Sequence, residues 1–334
     1  MFACTSLVNS SLNKEVEFIT LDTTASTNKK RSLVERGLGG MIRMTKFIAL
    51  LSTRKVDTVM AFCSSGYSFK EKGAMIKIAK ALGKKTIIAP RSGHLIDDIE
   101  NSSSFKKSVA AVFQKADHII CQGSFWQSYF NDHFQLPSDK TVVIHNWIDQ
   151  KTVKRSIKND KNLKILFLGW IEKNKGIYEI IEAADQLRDE NVEWIIGGNG
   201  KEFEEVSALV SRKELQDKVQ LKGWVLHEDK ERHLASSDIL IIPSYREGLP
   251  NALLEAMLNG LAVIASNVGG IPDIVQNKNN GILINPGDAN AIVSAVKFFL
   301  TNPEKTQEFG LEAIETIKTK NSLETAISKF NEVL

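Results

Sequence analysis

The chain holds only three cysteines in 334 residues, at positions 4, 63 and 121. Their spacing fits neither a disulfide framework nor a zinc site, and such sparse use suits a reducing cytoplasm. No apolar run approaches the roughly 18–20 residues that a membrane-spanning helix needs. The opening MFACTSLVNSSLN has no positive leader and is interrupted by Thr5, Ser6 and Asn9, which makes a poor signal peptide. There is no Asp-x-Asp pair of the kind that holds a metal. A basic helix and an aromatic-basic platform are also lacking, which disfavours nucleic acid as a partner. A further absence concerns the start of the first domain. A doubly wound domain usually opens with a strand leading into a glycine-rich turn. Here the first segment reads as helix, and Gly37, Gly39 and Gly40 follow a loop rather than a strand. A first domain shortened at its N-terminus is therefore predicted.

What is present is the composition of a globular protein, 43% hydrophobic and 25% charged, at a length that suits two domains. The net charge of +3 is unevenly spread: residues 1–150 carry 20 Lys and Arg against 13 Asp and Glu, and the remainder 23 against 27. A basic first half suits an anionic membrane surface or an anionic lipid-linked acceptor, and equally a solvated surface with no partner. Strands are predicted at 16–21, 57–63, 86–89, 117–121 and 142–145. Helices at 38–51, 69–82, 103–115 and near 125–131 separate them, with a polar loop at 22–36. The second half repeats the alternation, with strands at 163–168, 192–196, 219–221, 239–242, 261–265 and 282–284. Helices there are predicted at 177–188, 203–212, 229–235, 250–260 and 289–300, and at 303–333 with a break near 320. Strands alternating with helices imply parallel sheets. The polar stretch 148–162 reads as a linker, so that residues 1–147 and 163–334 form two Rossmann-like α/β domains facing across a cleft, with the last helix expected to pack back toward the first domain.

Chemistry concentrates in residues 239–275, ILIIPSYREGLPNALLEAMLNGLAVIASNVGGIPDIV. Glu247 follows an apolar strand and precedes a helix that Pro250 can start and Gly260 can end. Helix N-termini bind anions, so a carboxylate there either caps the turn or receives hydroxyls. Glu255 lies within a helix that is apolar over much of its circumference, where a carboxylate needs hydrogen-bond partners. Lys175, in GWIEKNKG after another strand, can reach a phosphate or serve as a surface lysine. Gly198-Asn199-Gly200 reads as a tight turn.

The segments LFLGWIEKNKGIYEIIEA, WIIGGNGKEFEEV, VQLKGWV, SSDILIIPSYREGLPNALLEAMLNGLAVIASNVGGIPDIV and NNGILINPGD resemble, in that order, the C-terminal domain of family 4 retaining glycosyltransferases. The likeness is strong over residues 140–300 and looser before them. It implies the GT-B fold. It implies that Glu247 holds hydroxyls of a donor sugar and Glu255 the ribose of its nucleotide, while Lys175 neutralises the leaving diphosphate. Gly248, Leu249 and Pro250 would lie against sugar and diphosphate, Val225 near the base, and Gly198 and Gly200 would admit the nucleotide. The family usually has an arginine where this chain has Trp170, so Arg246 or Arg91 would have to supply the missing charge. In the PRSGH loop, Arg91 and His94 are further cleft candidates, though a histidine there also reads as a plain loop residue. The function implied is retaining transfer of a sugar from a nucleotide-diphosphate sugar to a glycan or lipid-linked acceptor in surface polysaccharide biosynthesis. No metal or other cofactor is expected, and the expected place is the cytoplasm or the inner face of the membrane. A non-catalytic nucleotide-sugar-binding relative and a GT-B-fold epimerase are the alternatives.

Overall fold

The computed structural model of the chain describes residues 2–23, 33–148 and 162–334. Residues 24–32 of the expected polar loop and 149–161 of the expected linker lie outside the described residues. The chain forms two compact units, Met1–Ile144 with Ala326–Leu334, and His145–Thr325.

In the first unit, α1 (Phe2–Val8) and α2 (Leu33–Thr53) precede β1 (Thr58–Cys63), α3 (Gly66–Ala81) and β2 (Lys85–Pro90). Next come α4 (His94–Asn101), α5 (Ser103–Phe113), β3 (His118–Cys121), α6 (Ser124–Phe134) and β4 (Thr141–Val143). The four strands pair in parallel in the order β1-β2-β3-β4. Continuous apolar runs such as Ile87–Ile88–Ala89 are buried, as parallel strands covered on both faces require. Phe69, Phe105, Phe113, Phe130 and Phe134 meet largely edge to face and bind α3, α5 and α6 together.

The sequence reading is amended in two places. Residues 16–21 form no strand; none of their side chains is buried, so the alternation has no core face to fix a register. Residues 94–101, from the end of the PRSGH loop onward and assigned no element from the sequence, form a helix with Leu95, Ile96 and Ile99 buried at helical spacing.

In the second unit, β5 (Leu163–Leu168), α7 (Ile177–Gln186), β6 (Val192–Gly197), α8 (Phe203–Arg212) and β7 (Val219–Gly223) form the first half. The second half is α9 (His227–Ser236), β8 (Ile239–Ile242), α10 (Asn251–Leu258), β9 (Ala262–Ser266), β10 (Gly281–Ile284), α11 (Ala289–Thr301) and α12 (Pro303–Lys320). The six parallel strands run in the order β10-β9-β8-β5-β6-β7. Alternate residues face opposite layers. Ile165, Phe167, Ile239 and Ile241 join one core with α7 and α11, whereas Leu166, Leu240, Ile242 and Val263 join the other with α10 and α12. The strand order reverses between β5 and β8, paired through Ile165↔Ile239 and Leu166↔Leu240. Ligands of open parallel sheets bind at the strands' carboxyl ends at such a reversal.

The break expected near residue 320 separates α12 from α13 (Leu323–Asn331). Residues 326–334 belong to the first unit, where Phe330 and Val333 are buried and Lys329 Nζ donates to the carbonyl of Val143 at 3.1 Å.

Candidate functional site

The loops that follow β5 and β8 meet at the reversal point. The amide of Tyr245 donates to the carbonyl of Asn174 at 2.9 Å, which joins the two loops by backbone. Lys175 Nζ and Glu247 Oε1 are then 2.6 Å apart, with side chains only 19% and 13% exposed. Two predicted site residues, 72 positions apart in sequence, are thus one ion pair. Tyr245 is held in turn by Glu179 on α7, whose carboxylate accepts from its hydroxyl. That bond, with burial added, raises the Tyr245 pKa and keeps the phenol a donor.

Glu247 leads through Gly248, Leu249 and Pro250 into α10. Pro250 precedes the helix in extended conformation, and Asn251 is its first residue. Gly260 does end this segment, two residues beyond Leu258, with φ +74. Gly248 and Leu249 are buried, and among the described residues their N–H groups meet no acceptor. Two buried backbone donors at the positive end of a helix form a site for an anion. The loop after β9 fixes their position: Gly270 N donates to Gly248 O at 2.6 Å, and a Cβ on Gly269 would fall 2.0 Å from Glu247 O. Only glycine fits that contact.

Glu255 projects from α10 and pairs with Lys230 of α9 at 2.8 Å. Sequence reasoning missed Lys230, since α9 (HEDKERHLAS) looks solvated and nothing in it marks one lysine over its neighbours. Gly198 and Gly200 are explained by backbone packing: Cβ atoms there would lie 1.8 Å from Gly169 O and 2.2 Å from Ile171 O. Val225 packs against Gly197, where an added Cβ would meet it at 2.8 Å. Trp170, at the position of the expected arginine, is 55% exposed and meets Trp224 edge to face, with ring centroids 4.7 Å apart. The two indoles stand beyond the carboxyl ends of β5 and β7, and Gly198-Asn199-Gly200 follow the end of β6, the strand between them. Arg246 is exposed beside Glu247 in the same loop.

Arg91 and His94 belong to the first unit. The Arg91 guanidinium lies 5.1 Å from the Phe62 ring centroid, and burial lowers its pKa to about 10. His94 is the first residue of α4, with Nδ1 3.4 Å from Asp97 Oδ2. The second unit thus collects Lys175, Glu247, Gly248, Leu249, Pro250 and Arg246 around one strand reversal, with Glu255 on the adjoining helix.

Residues 149–316 match the family described as glycosyl transferases group 1. Among curated relatives, a 2-deoxystreptamine N-acetyl-D-glucosaminyltransferase of Niallia circulans is 27% identical over 47% of this chain and 41% of its own length. The amylovoran biosynthesis glycosyltransferase AmsK of Erwinia amylovora is 28% identical over 57% and 49%, respectively. The chain spans about half the length of the curated relatives it matches. Among solved structures, Anabaena Alr3699/HepE in complex with UDP aligns with a TM-score of 0.75 at 19% identity, over 89% of this chain and 83% of that one. This likeness is one of fold, the two-unit α/β GT-B architecture.

Proposed function

The chain belongs to the group 1 glycosyl transferases, and on that premise we propose that it moves a sugar from a nucleoside-diphosphate sugar to a glycan or lipid-linked acceptor. The observation that carries this reading is the Lys175–Glu247 pair beside the N–H groups of Gly248 and Leu249, which meet no acceptor among the described residues. Departure of a diphosphate from an anomeric carbon builds negative charge on the phosphate oxygens. Fixed cations and backbone donors in a partly dry site lower that barrier. Lys175 and the start of α10 are such groups, and they act here without a metal. Without donor, Lys175 and Glu247 neutralise each other. With donor, Lys175 turns to the diphosphate and Glu247 accepts from sugar hydroxyls, so neither charge is left buried and unpaired. Glu255 and Lys230 take the ribose.

As the anomeric C–O bond breaks, the acceptor oxygen bonds the same face, its proton passes to the departing diphosphate, and configuration is retained. Donors carrying uridine diphosphate come first for testing, because HepE is described with UDP. The name of AmsK supports a polysaccharide product. A basic first half suits work in the cytoplasm at the inner face of a membrane; no helix among the described residues is long and apolar enough to cross one.

A panel of nucleotide sugars scanned by thermal shift tests the donor, since a ligand at 100 times its Kd stabilises a fold by about 2.7 kcal/mol. Nucleotide release with and without acceptors then tests transfer. Glu247→Ala is expected to lower transfer by about 100-fold or more while nucleotide binding persists. Donor binding without turnover across varied acceptors would favour a binding protein instead, and undiminished transfer by Glu247→Ala would remove the site assignment.

A further inference from the structure

The second unit begins with His145-Asn146-Trp147-Ile148, which sequence reasoning assigned to a strand end and a linker. Asn146 is buried, and its carboxamide nitrogen donates to Leu249 O at 2.6 Å and to Asn251 Oδ1 at 3.1 Å. An amide nitrogen has two hydrogens; one is spent on the loop between Glu247 and α10 and the other on the first residue of α10. The backbone oxygen of Asn146 accepts from Asn321 Nδ2 at 2.8 Å, and Ile148 N donates to Asn321 O at 3.0 Å. A bridge between Ile148 and Ser322 continues this pairing. On the other side, His145 Nε2 lies 3.0 Å from Asp273 Oδ2, in the turn that begins after Gly270. Gly270 itself holds Gly248 O. Asn146 therefore holds Leu249 and Asn251 directly, while His145 holds the turn that follows Gly270. Residues 145–148 also join the points where the chain enters the second unit, at 144–145, and leaves it, at 325–326.

Filling space alone would call for an apolar side chain, since a buried amide is costly unless every hydrogen is bonded. We propose that Asn146 is a positioning residue for the donor, anchored by Asn321. Its amide sets the Leu249 carbonyl and the first residue of α10, and through them the direction of the Gly248 and Leu249 N–H groups. The proposal rests on the reading of that loop as a diphosphate site. It places donor affinity partly under the control of a residue outside the loop, one that touches neither sugar nor phosphate.

Asn146→Asp keeps the size of the side chain and replaces its donors with a carboxylate. Binding of UDP, GDP and ADP is measured by calorimetry, together with donor KM, kcat and melting temperature, well below the melting point of each variant. Displacing the loop is expected to weaken binding of whichever nucleotide the unaltered protein prefers by about 10-fold, with donor KM raised similarly and kcat changed less. Asn321→Ala, which removes the amide that donates to the Asn146 carbonyl, should shift affinity the same way and serves alone if Asn146→Asp does not fold. Phe299→Leu, in the core on the opposite face of the sheet, should lower the melting temperature and leave affinity unchanged. Folded Asn146→Asp or Asn321→Ala with unaltered nucleotide affinity would overturn the positioning role alone. Failure of the unaltered protein to bind any of the three nucleotides would overturn the diphosphate reading with it.

Discussion

At the scale of residues, the candidate site holds two carboxylates each matched with a lysine. Glu247 meets Lys175 and Glu255 meets Lys230, at 2.6 and 2.8 Å. The first pair was half legible in the sequence, since both members stood out at strand ends and the family resemblance gave each a role. Their mutual contact was not legible, because it depends on which two strands lie side by side. Lys230 was invisible for a different reason: a charged residue on a polar helix has no periodicity to betray it. Its removal is expected to matter nonetheless. Lys230→Met leaves Glu255 without its cation, and a charge-assisted hydrogen bond contributes about 1.5–3 kcal/mol. Nucleotide affinity, read by calorimetry, should fall by about 10-fold; an unchanged value would separate Glu255 from the nucleotide.

At the scale of elements, buried strands and capped helices were read well because their signals are local. Continuous apolar runs marked β2, β8 and β9, and Gly83 with φ +70 closes the segment after α3. The error at residues 16–21 and the omission at 94–101 arose where short patterns could serve either structure, and packing decided. One tie between elements carries a pH dependence. Asp117, just before β3, accepts from the backbone and hydroxyl of Thr86 in β2, each at 2.8 Å, and from Lys80 in α3. Burial pulls its pKa up, but the bonds from Lys80 and Thr86 outweigh it and leave the carboxyl below its ordinary 3.8. Its folded pKa is depressed, so its contribution is present above the unfolded pKa and is lost as pH falls through the lower folded value. Asp117→Ala should cost about 1–3 kcal/mol in urea melts at pH 7, and the gap from the unaltered protein should narrow toward pH 3. A gap independent of pH would show that the charge is immaterial.

At the scale of the whole molecule, two α/β units were legible from the alternation of strands and helices, while the place where the second begins was not. The stretch 145–148 reads as a strand end running into polar linker, yet it packs within the second unit. The place of 145–148 is not a local property, since it concerns which core a short segment joins. The last helix is expected to return toward the first domain, and residues 326–334 lie in the first unit. A chain ending at Thr325 loses Phe330 and Val333 from the first unit, and deleting one buried phenylalanine side chain already costs about 3–5 kcal/mol. Limited proteolysis followed by mass spectrometry should then find cuts within residues 33–144 while 163–325 stays resistant. Equal resistance of both regions would show that residues 326–334 are dispensable.

That return of the chain bears on how the protein is made. Residues 145–325 are contiguous, so the second unit can close as soon as its last strand and helices have left the ribosome. The first unit begins earlier and finishes later, because it waits for a segment synthesised some 180 residues after Ile144. Domains usually fold in the order of synthesis. Here the unit made first is the one completed last, and its unfinished core is the surface that a nascent-chain chaperone would have to shield.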